Sequence, residues 1–521
     1  MAQIKIENLT FTYSASQLPA INNISLEIKQ GDFVVVCGAS GCGKSTLLRN
    51  LKPAIRPAGK IQGKVSYNGQ CIDAISDREQ AKSFGFVLQS PEHQIVTDKV
   101  WHELAFGLEN LGYKTEDIRL RVAEMAEYFG ITDLYYRSAD KLSGGQKQLL
   151  NLAAVMTMHP EVLILDEPTA QLDPIAAEGF IDILKKVNRD LGITVILSEH
   201  RLNYVMEDAD QLLVMDKGEV LVFDKPQVAL SKVVEKDLLK LMPVQVQLFK
   251  EYVASNENVS EIPMSIAEGR KWINSLSISG EIEADRTIGE EVVICKNLWF
   301  RYDRNGEDII KGLNMQVYKG EIFVILGGNG TGKTTAMSLL SGVNKAYRGK
   351  LKINGRVSAL PQNVQTLFRK ESVAEELKGV SENIIEQMEL GGLMDSHPYD
   401  ISGGQQQKLA LAKVLEKDPD ILILDEPTKA IDGIYKENLG EILLNMKKQG
   451  KTIIIVSHDV DFCGQFADRC GLFAQGSLIA VNNFREFFAN NRFYTTTVNK
   501  MAGHVIKKAV KKEDVLCFPD R

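Results

Sequence analysis

A chain of 521 residues is too long for one hydrophobic core, and length alone predicts roughly two to four domains. With 44% hydrophobic and 25% charged residues and a formal charge of −7, the composition excludes a disordered chain and offers no excess of positive charge to nucleic acid. The seven cysteines stand apart, with no C-x-x-C pair, which fits a reducing compartment and argues against a disulfide scaffold, a zinc site or an iron–sulfur site. The opening residues Met1-Ala2-Gln3-Ile4-Lys5-Ile6 alternate like a strand and lack the apolar run of a signal peptide. No stretch approaches the roughly 20 consecutive apolar residues of a membrane span. A cytosolic protein is expected, with any membrane role peripheral.

In chain order, the first chemical signature follows an apolar, strand-like run at 33–36. Gly38-Ala39-Ser40-Gly41-Cys42-Gly43-Lys44-Ser45 matches the phosphate-loop pattern G-x-x-x-x-G-K-[ST], and Thr46 continues into a helical pattern. Gln89 comes next, then Ser143-Gly144-Gly145-Gln146. Asp166-Glu167 closes the apolar run 162–165, and His200 follows the apolar run 194–197. The series then returns in the same order. Gly327-Gly328-Asn329-Gly330-Thr331-Gly332-Lys333-Thr334 and Thr335 follow the run 322–326; after them come Gln362, Ser402-Gly403-Gly404-Gln405, Asp425-Glu426 and His458. The chain is a duplicated domain.

The spacings show where the copies diverge. From lysine to glutamine they are 89−44 = 45 and 362−333 = 29, from glutamine to serine 143−89 = 54 and 402−362 = 40, and from serine to aspartate 23 in both. Length differences therefore sit on either side of the glutamine, where loops and a helical insertion tolerate change. Residues 1–228 are expected to form the first domain and 291–490 the second. Between them, 229–290 carries no second motif set but has an acidic cluster, Glu281, Glu283, Asp285 and Glu290. Its early part, 238–253, reads as an amphipathic helix closing the first domain, with linker after it. The segment 491–521, with Lys507, Lys508, Lys511 and Lys512, reads as a solvated basic tail.

The motif residues carry recognisable chemistry. Loop glycines let backbone N–H groups face phosphates, and Lys44 and Lys333 reach the β- and γ-phosphates. Ser45 and Thr334 place hydroxyls on Mg²⁺, and Asp166 and Asp425 supply its carboxylates. One residue on, Glu167 and Glu426 can orient and polarise an attacking water. His200 and His458 stand after strands as γ-phosphate contacts. Ser143-x-x-Gln146 and Ser402-x-x-Gln405 read as capping boxes opening helices; a helix start with two bare glycines is also an anion site, and the spacing leaves both readings open.

The halves resemble ATP-binding cassette domains, in which Leu142-Ser143-Gly144-Gly145-Gln146 and Ile401-Ser402-Gly403-Gly404-Gln405 correspond to the signature motif. The resemblance implies an α/β fold of two P-loop NTPase domains, each with a RecA-like core, an antiparallel β subdomain and a helical subdomain. It further implies an intramolecular pseudo-dimer with two composite ATP sites, one pairing Lys44, Asp166, Glu167 and His200 with Ser402, the other pairing Lys333, Asp425, Glu426 and His458 with Ser143. Gln89 and Gln362 would be glutamine-loop residues contacting the metal. Tyr13 and Tyr302, each 31 residues before its lysine, would stack on adenine. Asp173 and Asp432 match the family's aspartate loop.

Cassette proteins serve several machines. Exporter halves carry fused spans and repair ATPases carry long heptad insertions, neither of which this sequence has. A soluble tandem ATPase acting on ribosomes is the alternative, opposed by the acidic charge and the absence of a lysine-rich hairpin. Gln89-Ser90-Pro91-Glu92-His93-Gln94-Ile95-Val96, Glu103-Leu104-Ala105-Phe106-Gly107-Leu108-Glu109-Asn110 and Leu360-Pro361-Gln362-Asn363-Val364-Gln365-Thr366-Leu367-Phe368 look like the fused ATPase of energy-coupling factor transporters. That resemblance implies vitamin or metal uptake through integral membrane subunits, a transmembrane scaffold and a substrate-binding component, with this chain peripheral on the cytoplasmic face and no nucleic-acid partner. Ile95, Val96, Leu367 and Phe368 then line docking grooves or pack in the core.

Overall fold

The computed structural model describes residues 2–14, 16–233, 235–253, 261–276, 278–283, 289–429 and 431–518; Asp285 of the linker's acidic cluster lies outside them. The chain divides into two compact units, Met1–Val246 and Gln247–Arg521.

In the first unit the apolar runs assemble into a six-stranded sheet in the order Glu219–Asp224, Gln211–Asp216, Phe33–Gly38, Thr194–Ser198, Val162–Asp166, Phe84–Val87. All neighbours are parallel except the first pair. Val34, Val35, Val36, Leu163, Ile164 and Leu165 are wholly buried, inward on both faces, as a parallel sheet covered from both sides requires. A second, antiparallel sheet joins Ile21–Lys29, Ala2–Tyr13, Gly59–Tyr67 and Gln70–Cys71, and its inward Ile4, Leu9, Phe11 and Ile21 are also fully buried.

The second unit repeats the plan. Its six strands lie in the order Val357–Leu360, Ile421–Asp425, Thr452–Val456, Ile322–Leu326, Arg469–Ala474, Ser477–Asn483, with an antiparallel sheet of Ile310–Tyr318, Glu291–Phe300 and Arg348–Ile353. The expected α/β architecture is present in both units. The spacing differences acquire a structural cause. Before the glutamine, the first unit inserts the strand Gln70–Cys71 and the helix Asp77–Ser83, whereas the second passes directly from Arg348–Ile353 to Val357–Leu360. After it, the helices Val100–Asn110 and Thr115–Tyr128 are replaced by the single-turn pieces Val373–Glu376 and Glu382–Gln387.

The linker and tail depart from the sequence reading. The single helix expected over 238–253 is two, Lys236–Leu239 and Val244–Val253, because Pro243 lacks an N–H and its ring collides with the preceding turn of a continuous helix. From Gln247 onward the second helix belongs to the second unit: Phe249 and Tyr252 meet Trp272 edge-on at 5.2 and 5.6 Å, and Glu251 pairs with Lys512 at 3.0 Å. Nor is 491–521 a solvated tail. Ile506–Lys507 pairs in parallel with Gly280–Glu281 of the linker, and Met501, Ala502, Ile506, Ala509 and Val515 are wholly buried. Lys508 pairs with Glu281 at 3.2 Å, and burial lowers the pKa of Lys511. A basic composition concealed a packed apolar face.

Met501→Ala is therefore expected to destabilise the second unit by about 2–5 kcal/mol, the cost of emptying a buried site. Denaturant unfolding measures it, and a solvated tail would give no change.

Candidate active sites

Each phosphate loop leaves the strand in its sheet that lies between the histidine-bearing strand and the next, Phe33–Gly38 leading to the helix Lys44–Asn50 and Ile322–Leu326 to Lys333–Leu340. Gly38 and Gly327 turn out of the strand at φ 152° and 155°, where a Cβ would stand 2.3 Å from the Met215 carbonyl oxygen and 2.2 Å from that of Phe473. Only glycine passes there. The lysines are buried and folded into the loops. Lys44 Nζ donates to the carbonyls of Gly38 and Ala39 at 2.9 and 3.1 Å; Lys333 Nζ donates to those of Gly327 and Gly328 at 2.9 and 2.7 Å. A phosphate bound in the loop would meet an ammonium already in place.

Beside the first lysine stands a buried carboxylate. Asp166 Oδ1 accepts hydrogen bonds from Ser45 Oγ and Ser198 Oγ, both at 2.9 Å. Burial raises its pKa and the Glu167 charge adds to the rise, while the two hydroxyls oppose it. In the second unit Asp425 is equally buried, and its oxygens make no hydrogen bond of good geometry among the described residues. Burial again raises the pKa, opposed by the Thr334 hydroxyl and the charges of Lys333 and Lys429. A buried carboxylate next to a hydroxyl fits a hard divalent cation, whose charge would offset the desolvation.

Glu167 and Glu426 share an unusual backbone, at φ 45° and 53°. The left-handed region costs a side-chain-bearing residue on the order of 1–3 kcal/mol, so it persists only where neighbours impose it. Here the strand carrying the histidine does so: Glu167 N–H donates to Ser198 O at 3.1 Å and Ser198 Oγ at 3.0 Å, and Glu426 N–H to Val456 O at 2.8 Å. The bend presents the carboxylates to their partners. His200 Nε2 lies 2.8 Å from Glu167 Oε1, and Gln89 Nε2 donates to Oε2 at 2.7 Å. His458 Nε2 lies 3.1 Å from Glu426 Oε1, but Gln362 is exposed and does not join this group. A carboxylate held beside an imidazole can orient a water and accept its proton.

Other motif residues fall around this centre. The Tyr13 and Tyr302 hydroxyls hydrogen-bond Thr46 and Thr335 at 2.8 and 3.1 Å, which sets both rings beside the helix behind the phosphate loop; the Tyr302 ring is largely exposed. Both capping boxes form, with Gln146 N–H on Ser143 Oγ and Gln405 N–H on Ser402 Oγ, each at 3.3 Å. Ser143-Gly144 and Ser402-Gly403 stay exposed, each opening a helix of 13 residues. Ile401 is as buried as Leu142, so the aliphatic exchange is accommodated. Asp173 and Asp432 cap the helices Pro174–Leu191 and Gly433–Lys448, accepting from Ala176 N–H at 2.8 Å and Tyr435 N–H at 2.9 Å. Of the groove candidates, Val96 is 64% exposed and Ile95 and Leu367 are half-buried, but Phe368 is a core residue.

Three carboxylates escaped the sequence reading. Glu199, fully buried with a raised pKa caused by that burial, accepts from Thr169 N–H at 3.1 Å and from the backbone N–H of His200 at 3.1 Å, so it anchors the histidine. The second unit has Ser457 at that place, hydrogen-bonded to Thr428 at 3.3 Å. Glu103 Oε2 accepts from the N–H groups of Val96 and Thr97 at 3.1 and 2.8 Å, and Glu376 accepts from those of Arg369 and Lys370 and pairs with Lys413. Both hold the far end of a glutamine loop. The recurrence of Glu three residues after Val100 and Val373 was the available signal.

Comparison with known proteins agrees with this architecture. The family model described as ABC transporter matches residues 21–170 and 310–429. A Bacillus thuringiensis protein with the provisional name ABC transporter ATP-binding protein is 37% identical over 99% of this chain and 98% of its own length. Among solved structures, cbiO1 of Clostridium perfringens, part of the transporter complex cbiONQ, is 30% identical over 49% of this chain and 96% of its own, with TM-score 0.42. An archaeal ribosome recycling factor solved with a ribosomal stalk protein is 20% identical over 92% of this chain and 91% of its own, with TM-score 0.61, a likeness of fold alone. The chain belongs to the ABC transporter family and is a tandem ATPase of that family, binding ATP.

Glu167→Gln combined with Glu426→Gln should leave ATP binding intact and lower hydrolysis by roughly 10² or more, because the amide cannot take a proton. Steady-state turnover and nucleotide binding measured on one preparation test this; unchanged turnover removes both residues from the chemistry. Cys42 lies in the first loop where the second has Thr331, and it is buried, whereas Cys517 is exposed. A brief maleimide pulse followed by peptide mapping should mark Cys517 and spare Cys42.

Proposed function

We propose that this chain is the ATP-hydrolysing subunit of a membrane importer of the energy-coupling factor type, acting from the cytoplasmic side on an integral scaffold and a substrate-binding component. The observation that carries the reading is the path along the first glutamine loop. Gln89 holds the Glu167 carboxylate, Val96 is displayed on the surface seven residues later, and Glu103 pins the backbone between them and the helix Val100–Asn110. A change at the γ-phosphate therefore has a short, stiff route to an exposed apolar contact. Among the described residues no helix is long and apolar enough to cross a membrane, and in this reading the force passes to another chain. The transporter naming of the relative matched across its whole length supports the same direction.

In this reading Lys44 and Lys333 bind the β- and γ-phosphates, Tyr13 and Tyr302 stack on adenine, and Ser143-Gly144-Gly145 and Ser402-Gly403-Gly404 each close over the ATP held by the other half. Ser45, Asp166 and Gln89 would hold Mg²⁺ in the first unit, and Thr334 and Asp425 in the second, where the expected third ligand, Gln362, is exposed. When bound, the ion neutralises phosphate charge that develops as the terminal bond breaks. Glu167 and Glu426 orient the water, and His200 and His458, which lie 2.8 and 3.1 Å from those carboxylates, contact the γ-phosphate.

Ile95→Glu with Val96→Glu should remove the protein from the membrane fraction while its basal ATPase and fold persist, since these side chains contribute little to the core and a charge buried at an interface costs roughly 2–5 kcal/mol. Membrane fractionation with an integral partner identified by mass spectrometry is the measurement. Salt-sensitive recovery with ribosomes would replace this reading with the ribosomal one.

A further inference from the structure

The C-terminal segment brings to the second phosphate loop a side chain for which the first unit has no equivalent. Tyr494 is half-buried against the core of the second unit, and its hydroxyl lies 3.9 Å from the point where a Cβ on Gly328 would stand. Gly328 marks a particular end of the loop. Its carbonyl, with that of Gly327, holds the Lys333 ammonium, the group that in such loops serves the β- and γ-phosphates. The hydroxyl thus stands beside the loop residue whose carbonyl holds that ammonium.

Its position is held firmly from behind. Thr495 Oγ1 donates to Phe488 O at 2.6 Å, Thr496 Oγ1 to Val510 O at 2.9 Å, and Thr497 N–H and Oγ1 to the half-buried Asp461 carboxylate at 2.7 and 2.8 Å. Asp461 lies three residues after His458, on the helix Val460–Phe466. Three consecutive buried threonines therefore fix the residue that precedes them, while the Tyr494 hydroxyl itself makes no hydrogen bond among the described residues. In the first unit Ala39 takes the place of Gly328, and the chain beyond the last strand, residues 225–246, contains no tyrosine.

We propose that Tyr494 is a contact for the terminal phosphate of ATP at the second site, its O–H donating to a γ-phosphate oxygen, so that the C-terminal segment distinguishes ATP from ADP in the second unit and not in the first. The contact rests on ATP occupying the second phosphate loop and is independent of the importer reading.

The test uses the full-length chain with one loop disabled at a time, Lys44→Ala or Lys333→Ala, and titrates ATP and ADP by calorimetry with and without Tyr494→Phe. With the first loop disabled, Tyr494→Phe should weaken ATP roughly three- to ten-fold, the scale of one hydrogen bond to a charged group at a partly solvated site, and leave ADP unchanged. With the second loop disabled, the same substitution should change neither nucleotide. Equal ATP and ADP affinities for the Tyr and Phe forms overturn the proposal, and equal weakening of both nucleotides assigns Tyr494 a purely structural role and overturns it too. Absence of ATP binding in the Lys44→Ala protein with Tyr494 intact overturns both the second-site assignment and the contact, which separates that failure from failure of the contact alone.

Discussion

The strands Phe33–Gly38, Val162–Asp166 and Thr194–Ser198 are buried on both faces, so polar side chains can be offered only where the strands end. Because the three run parallel, their carboxyl ends share one edge of the sheet. Lys44, Asp166, Glu167 and His200 gather there for that reason, although up to 156 residues separate the first from the last (200−44 = 156). Crowding charges at such an edge costs desolvation, visible in the raised pKa of Asp166 and Asp425. The lysine, the hydroxyls and an incoming nucleotide with its cation are the compensating groups.

The two units meet this cost with different chemistry. In the first, Asp166 has two hydroxyl donors and Glu167 is held by both an amide and an imidazole. In the second, Val456 replaces Ser198 on the adjacent strand, Ser457 replaces the buried Glu199, and Gln362 stays at the surface. The Asp166 carboxylate has its hydroxyl donors, whereas among the described residues Asp425 has no hydrogen bond of good geometry, although Glu426 Oε2 accepts from the His458 N–H at 3.3 Å. Duplication preserved the backbone geometry, including the left-handed glutamates, while the supporting shell drifted.

Short-range constraints were legible in the sequence. A glycine that must clear a neighbouring carbonyl, a lysine six residues after it and a carboxylate ending an apolar run are demands of local backbone geometry, so Gly38, Lys44, Asp166, Glu167 and their second-unit counterparts could be read directly. The duplicated order and the two length differences around Gln89 and Gln362 followed from the same spacing, whereas the α/β class came from the resemblance that the motifs carry. What tertiary structure alone decided depends on which distant surface a segment meets. The lysines of 507–512 look solvated by composition, yet the apolar residues between them find a buried seat against the linker and the second core. Phe368 packs in a core and Val96 faces solvent, although both are apolar; counted from Glu103 and Glu376, Val96 corresponds to Arg369 and Phe368 to the half-buried Ile95. The anchoring roles of Glu199, Glu103 and Glu376 emerge only when the fold closes backbone N–H groups around them. Local pattern reports what a segment can do; only packing, through burial and the hydrogen bonds burial makes obligatory, selects which of those possibilities is used.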